Sequence, residues 1–270
     1  MLWNFLISVA IAYAAVMALV YLFQSRLIFY PEVGREMVVS PQTYGLKFEP
    51  ADIRTTDGES LSAWWLPADE ARGTILFFHG NAGNISHRLD YLLLFNRLRF
   101  NTLILDYRGY GKSTGSPSEE GTYRDAEAAW DYLSKVAPGR PRFIVGHSLG
   151  GAIAVELARK HPEARGLVLE ATLTSVQDMV EQSAWGFLPV GLILTQKFDA
   201  LSKIGEVKMP VMIAHGTRDS IVPFQMGERL YEAAPAPKRF VKVEGAGHHN
   251  LSGPGFEAYR QALTELFGNR

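Results

Sequence analysis

The sequence predicts an α/β domain built on a mostly parallel, eight-stranded sheet with an antiparallel edge, preceded by one N-terminal membrane-spanning helix. Three observations predict it. Short runs rich in β-branched and aromatic residues recur at 53–56, 61–66, 74–78, 102–106, 142–145, 167–169, 211–214 and 239–243. Several are continuously apolar, the pattern of strands covered on both faces. Between them, residues 85–98, 122–136, 151–159, 223–233 and 254–267 carry apolar side chains at three-and-four spacing, the mark of helices packed on one side. An opening pair of strands followed by strands alternating with helices gives a parallel sheet with an antiparallel edge. Finally, the chain starts with a long apolar run.

That run, residues 2–23, holds no charged side chain, and its strongly polar residues, Asn4 and Ser8, lie near the start. As a helix rising about 1.5 Å per residue it reaches roughly 33 Å, matching a hydrocarbon core of about 30 Å. Trp3 and Tyr21 stand at the two headgroup levels. Residues 1–25 therefore read as a single-pass anchor. A cleaved signal peptide is the competing reading, since Ala12-Tyr13-Ala14 imitates a cleavage site, but no Lys or Arg precedes the run and cleavage would leave an apolar tail. Arg26 and Arg35 follow the span, and the positive-inside bias leans weakly toward a cytoplasmic body. Residues 26–50, interrupted by Pro31, Pro41 and Pro50, read as a connector laid over the domain. Residues 51–270 then form the domain, with space for a small cap around 173–205.

Composition narrows the function. Across 270 residues, 27 Lys plus Arg against 28 Asp plus Glu leave a net charge of -1, so no basic field draws in nucleic acid. With no Cys, disulfides, thiolate metal sites and thiol catalysis are excluded.

The chemistry gathers at Gly146-His147-Ser148-Leu149-Gly150-Gly151, where an apolar strand gives way to a helix. So sharp a turn crowds the backbone around Ser148 and needs residues without Cβ two positions to either side. It exposes the hydroxyl and sets the Leu149 N–H at a helix N-terminus, facing a developing oxyanion. A serine hydroxyl needs a general base, which a carboxylate orients. Asp219 follows the run 211–214, and His248 follows the run ending at 243. Ser148, Asp219 and His248 thus stand on successive strand-end loops in the order Ser, Asp, His. His249 adjoins His248, and Glu170 is a second carboxylate at a strand end, so both are alternatives for those roles. His248 is preferred because the flexible Gly245-Ala246-Gly247 approach ends at it. The second oxyanion donor is expected from His79-Gly80-Asn81-Ala82-Gly83-Asn84, with the Asn81 N–H chosen and His79 as a brace. Gly109-Tyr110-Gly111-Lys112-Ser113 ends like a phosphate-binding loop, but Asp106 stands where its first glycine is required, so it reads as a tight turn.

These segments, with Phe78, Asp106-Tyr107-Arg108 and His215-Gly216-Thr217-Arg218, resemble the α/β-hydrolase superfamily. The chain is similar in particular to small membrane-anchored abhydrolase-domain serine hydrolases, which include protein depalmitoylases. The membrane segment followed by Leu27-Ile28-Phe29-Tyr30-Pro31 suits that branch. The resemblance implies the α/β-hydrolase fold, a Ser148–Asp219–His248 triad, an oxyanion hole from Asn81 and Leu149, and no metal or organic cofactor. It implies cleavage of carboxylic esters or thioesters in lipids, small molecules or acylated proteins. A peptidase or acyltransferase using the same triad is the alternative, and a catalytically dead, membrane-tethered binding module a more distant one. Trp185, Phe187, Leu188, Val190, Leu192, Ile193 and Leu194 make the cap apolar enough to line an acyl pocket.

Overall fold

The structure, a computed structural model, describes residues 1–183, 185–249 and 255–267. Helix α1 (Leu2–Ile28) runs five residues past the apolar segment, through Gln24, Ser25 and Arg26, and ends where Phe29 turns to extended backbone. By length and composition it can cross a membrane. Every residue as far as Val16 is exposed, whereas Met17, Val20, Gln24 and Ile28, at three-and-four spacing, turn against the domain. The last three turns of α1 are therefore amphipathic in use although not in composition.

Eight strands follow: β1 (Glu49–Arg54), β2 (Ser60–Leu66), β3 (Gly73–Phe78), β4 (Phe100–Leu105), β5 (Arg142–His147), β6 (Gly166–Glu170), β7 (Val211–Gly216) and β8 (Lys238–Val243). They form one sheet in the order β1-β2-β4-β3-β5-β6-β7-β8. The pairs β1/β2 and β2/β4 are antiparallel and all others parallel, as the sequence predicts. β1 begins ahead of the predicted run at 53, and Pro50 lies inside it. An edge strand tolerates a proline because one side of its backbone has no partner, and its exposed residues hide it from a search for apolar runs. The predicted connector therefore ends at Phe48.

Of the helices, the expected segment 85–98 is split into a 3-10 turn (Ile85–His87) and α2 (Leu89–Arg97). Asn84 caps the first piece by accepting from the Ser86 N–H, and Arg88, at φ -118°, interrupts helical geometry between them. α3 (Glu119–Val136) starts three residues earlier than expected because Ser118 caps it and Glu119 and Glu120 complement its dipole. α4 (Leu149–Lys160) and α7 (Phe224–Ala233) cover the sheet. The cap region holds α5 (Val176–Glu181), a 3-10 turn (Val190–Leu192) and α6 (Ala200–Ile204). α8 (Phe256–Phe267) closes the fold; its predicted start, Pro254, and residues 268–270 lie outside the described residues.

Alternation along the central strands divides the core in two. Leu76, Phe78, Ile144, Leu167 and Ile213 pack toward α3, α4, α6 and α7. Ile75, Phe77, Val145, Val168 and Met212 pack toward α2 and α8. With both faces buried, the carboxyl edge of the parallel strands is left to carry the loops.

Candidate active site

Ser148 stands alone between the end of β5 and the start of α4, at φ 56° and ψ -123°. A non-glycine residue held there stores roughly 1–3 kcal/mol of strain, so its surroundings must enforce it. Its N–H donates to the Glu170 carbonyl at 2.8 Å, and its carbonyl accepts from the Gly151 N–H at 2.9 Å. The glycine requirement is steric. A Cβ on Gly146 would lie 2.4 Å from the Gly150 carbonyl oxygen, and one on Gly150 only 2.3 Å from that of Phe78. As the first residue of α4, Leu149 has an N–H with no acceptor inside the helix.

Asp219, just past β7, is fully buried at its carboxylate. Oδ1 accepts from the Ile221 and Val222 N–H groups, each at 2.8 Å, and Oδ2 lies 2.8 Å from His248 Nδ1. Burial alone would raise its pKa, but hydrogen bonds from His215 and His248 prevail and hold it well below the usual carboxylate range. An ionised carboxylate only accepts, so Nδ1 carries the proton and Nε2 of His248 is left as an acceptor. His147, which sequence reasoning passed over, fixes this loop from behind. Its Nε2–H donates to the His248 carbonyl at 3.0 Å, and burial together with the neighbouring imidazole pushes its pKa well below the usual histidine range. Only its place between Gly146 and Ser148 could have signalled it.

Ser148, Asn81 and His248 line one cavity of about 480 Å³. Of the two alternatives, His249 is exposed. The Glu170 carboxylate accepts from the Tyr259 hydroxyl of α8, and burial pushes its pKa up to about 7.

The loop after β3 approaches closely enough that a Cβ on Gly80 would lie 3.3 Å from Ser148 Cβ. His79 is buried, its Nδ1 2.7 Å from the Gly80 carbonyl oxygen, and burial pushes its pKa down to about 3, so it is a neutral brace. The Tyr107 hydroxyl donates to the His79 carbonyl at 2.8 Å, and that of Tyr110 to Asn81 Oδ1 at 2.6 Å. The segment read as a tight turn is one, with Gly109 and Gly111 at positive φ, and it also clamps this loop. From the other side the Asn81 amide donates to the Ile28 carbonyl, Tyr30 bridges Ala82 in parallel, and Asn84 Nδ2 donates to the Gly34 carbonyl at 2.8 Å. The end of α1 and the connector therefore lie across the candidate oxyanion loop.

A second cavity, of about 430 Å³, also reaches Ser148 and Leu149, and among the described residues none that lines it is charged. Val190 and Leu194 line it, as expected of the cap, and Leu188 is buried in the core. Trp185, Phe187 and Leu192 instead face outward, 62%, 75% and 85% exposed. As for metals, His147, His248 and His249 present ligand atoms within 4.8 Å of one another. A cation there would occupy the His248 nitrogen that Asp219 leaves open.

The chain belongs to the α/β-hydrolase family. It is 33% identical to the alpha/beta hydrolase domain-containing protein WAV2 of Arabidopsis thaliana, over 90% of this chain and 86% of that protein. It is 36% identical to an uncharacterized protein of Mycobacterium tuberculosis, over 95% and 93% of the two chains. Residues 69–198 match a family profile described as serine aminopeptidase, S33. Among solved structures, an esterase of Pyrococcus furiosus shares the fold with a TM-score of 0.71 at 19% identity, covering 85% of this chain and 92% of that one. The protein is thus a hydrolase with an esterase-like fold.

Proposed function

We propose that the protein is a serine hydrolase that cleaves carboxylic ester or thioester bonds of acylated lipids or acylated proteins while anchored in a membrane by α1. The observation that carries this reading is the buried Asp219–His248 hydrogen bond, which orients an imidazole toward the cavity it shares with Ser148. His248 Nε2 takes the Ser148 proton as Oγ attacks the carbonyl carbon, and the N–H groups of Asn81 and Leu149 receive the oxyanion. The tetrahedral intermediate collapses as the imidazolium returns the proton to the leaving alkoxide or thiolate, leaving an acyl-Ser148. Water deprotonated by the same nitrogen then releases the carboxylic acid and restores the serine. No step uses a metal or organic cofactor.

The aminopeptidase description of the family profile finds less support here. An aminopeptidase must hold the substrate's α-ammonium, and among the described residues no Asp or Glu lines either cavity at Ser148. Transfer of the acyl group to an acceptor other than water would use the same acyl-enzyme. The test is a fluorophosphonate probe together with matched ester, thioester and amide substrates. Labelling of Ser148 with ester and thioester turnover supports the proposal, whereas an unreactive Ser148 in folded protein, or turnover of the amide alone, overturns it.

A further inference from the structure

We infer that the last three turns of α1 form one wall of the acyl-chain site, so that the membrane helix selects substrate as well as tethering the enzyme. The inference rests on the serine-hydrolase reading and adds which part of the chain receives the acyl group. Val20, Gln24, Leu27 and Ile28 of α1 line one side of the uncharged cavity, facing Val190 and Leu194 of the cap, and Ser148 stands at its end. About 430 Å³ lies within the range of small-ligand sites, and a lining without a single ionised side chain suits a hydrocarbon rather than a polar group.

Gln24 shows that the wall is built. It is a buried amide just past the uncharged apolar run of α1, only 5% exposed, and both ends are engaged on the cap. Its Oε1 accepts from the Thr195 N–H at 2.7 Å and the Gln196 N–H at 3.2 Å, while Nε2 donates to the Ile193 carbonyl at 3.3 Å. An amide so placed, satisfied on both sides, sets the rotation and depth of the helix against the cap. At the far end of the same turns, the Ile28 carbonyl receives the Asn81 amide, so the wall is continuous with the candidate oxyanion loop. The residues of α1 that precede Met17 are exposed all round, as a segment in lipid would be. A chain leaving the bilayer beside α1 would therefore slide along Val20 and Gln24 to reach Ser148.

The chain has no cysteine, so a single introduced thiol reports one position. In full-length protein in detergent micelles, Val20→Cys would be labelled with a maleimide before and after Ser148 reacts with an ethyl or a hexadecyl fluorophosphonate. The hexadecyl adduct is expected to slow labelling at least about tenfold and the ethyl adduct to leave it unchanged, with Leu22→Cys, on the outward face, unaffected by both. Val20→Trp is expected to lower the ratio of palmitoyl- to acetyl-ester kcat/KM at least about tenfold relative to Leu22→Trp. Equal maleimide rates with the two adducts, or equal ratios in the two tryptophan variants, overturn the inference while leaving the hydrolase reading intact. A hexadecyl probe that fails where the ethyl probe reacts likewise overturns the inference, and failure of both fluorophosphonates to react overturns the hydrolase reading instead.

Discussion

The corner around Ser148 and the flank formed by α1 and the cap touch the same cavity but are held in opposite ways. At the corner each group is tied by several directed bonds. Asp219 accepts from two backbone N–H groups and His248, His147 holds the His248 carbonyl, and glycines leave no room for a Cβ. The flank is held largely by apolar packing, with the Gln24 amide fixing α1 on the cap and the Asn81 amide holding the Ile28 carbonyl, and it presents Trp185, Phe187 and Leu192 to the outside. Reacting atoms need placement within a fraction of an ångström, which directed hydrogen bonds and steric contact supply. An acyl chain needs only an uncharged slot of adequate volume, which packing supplies and a few substitutions reshape.

The contrast predicts large effects at the corner and graded ones on the flank. Ser148→Ala is expected to lower ester kcat by about 10⁴-fold or more with the unfolding midpoint unchanged. A variant that kept wild-type turnover would place the nucleophile elsewhere. His248→Ala should cost a similar factor and His249→Ala less than about tenfold, because only the former ring is bonded to the carboxylate. Equal losses from both would show that the two imidazoles share the role.

Next in size, Asp219→Asn should reduce kcat by about 10²- to 10⁴-fold, whereas Glu170→Gln should stay within about threefold. The glutamine variant has a separate signature in stability. Burial raises the Glu170 pKa to about 7, so the folded state keeps a proton that the unfolded chain releases above about pH 4.3. This contribution is present in full below about pH 4.3, is lost as pH rises through about 7, and is constant above it. Between about pH 5 and about pH 8 the urea midpoint of the wild type should fall more steeply than that of Glu170→Gln. Parallel slopes would mean that Glu170 is ionised throughout. The smallest effect is expected on the flank. The double substitution Trp185→Ser with Phe187→Ser should lower turnover of vesicle-borne lipid ester by about twofold to tenfold and leave soluble short esters unaltered. A comparable loss on both would assign these rings to folding.

Much of the sheet was legible because strands buried on both faces read as continuous apolar runs; with the alternating edge run of β8, seven strands are placed within a few residues. β1 was found only in part, since an exposed edge strand carrying Pro50 has no such run. The corner around Ser148 was legible for a steric reason: few sequences other than one with glycines two positions either side of a serine can make that turn. His248 and Asp219 could be placed on neighbouring loops by strand order, but the choice between His248 and His249 needed a distance. His147, Tyr30, Tyr110 and Gln24 were passed over because each acts through contacts with residues remote in sequence, and such contacts leave no local pattern.

From composition and periodicity alone come the α/β architecture, the apolar helix at the start and the sharp strand-to-helix turn at Ser148, all of which depend on interactions between near neighbours. The tertiary structure alone decided which imidazole meets the carboxylate, that Glu170 is engaged by Tyr259 instead, and that the end of α1 closes a cavity against the cap. Those outcomes depend on side chains separated by tens to well over a hundred residues, such as Gln24 and Thr195, whose meeting is set by how the layers pack and not by any spacing along the chain.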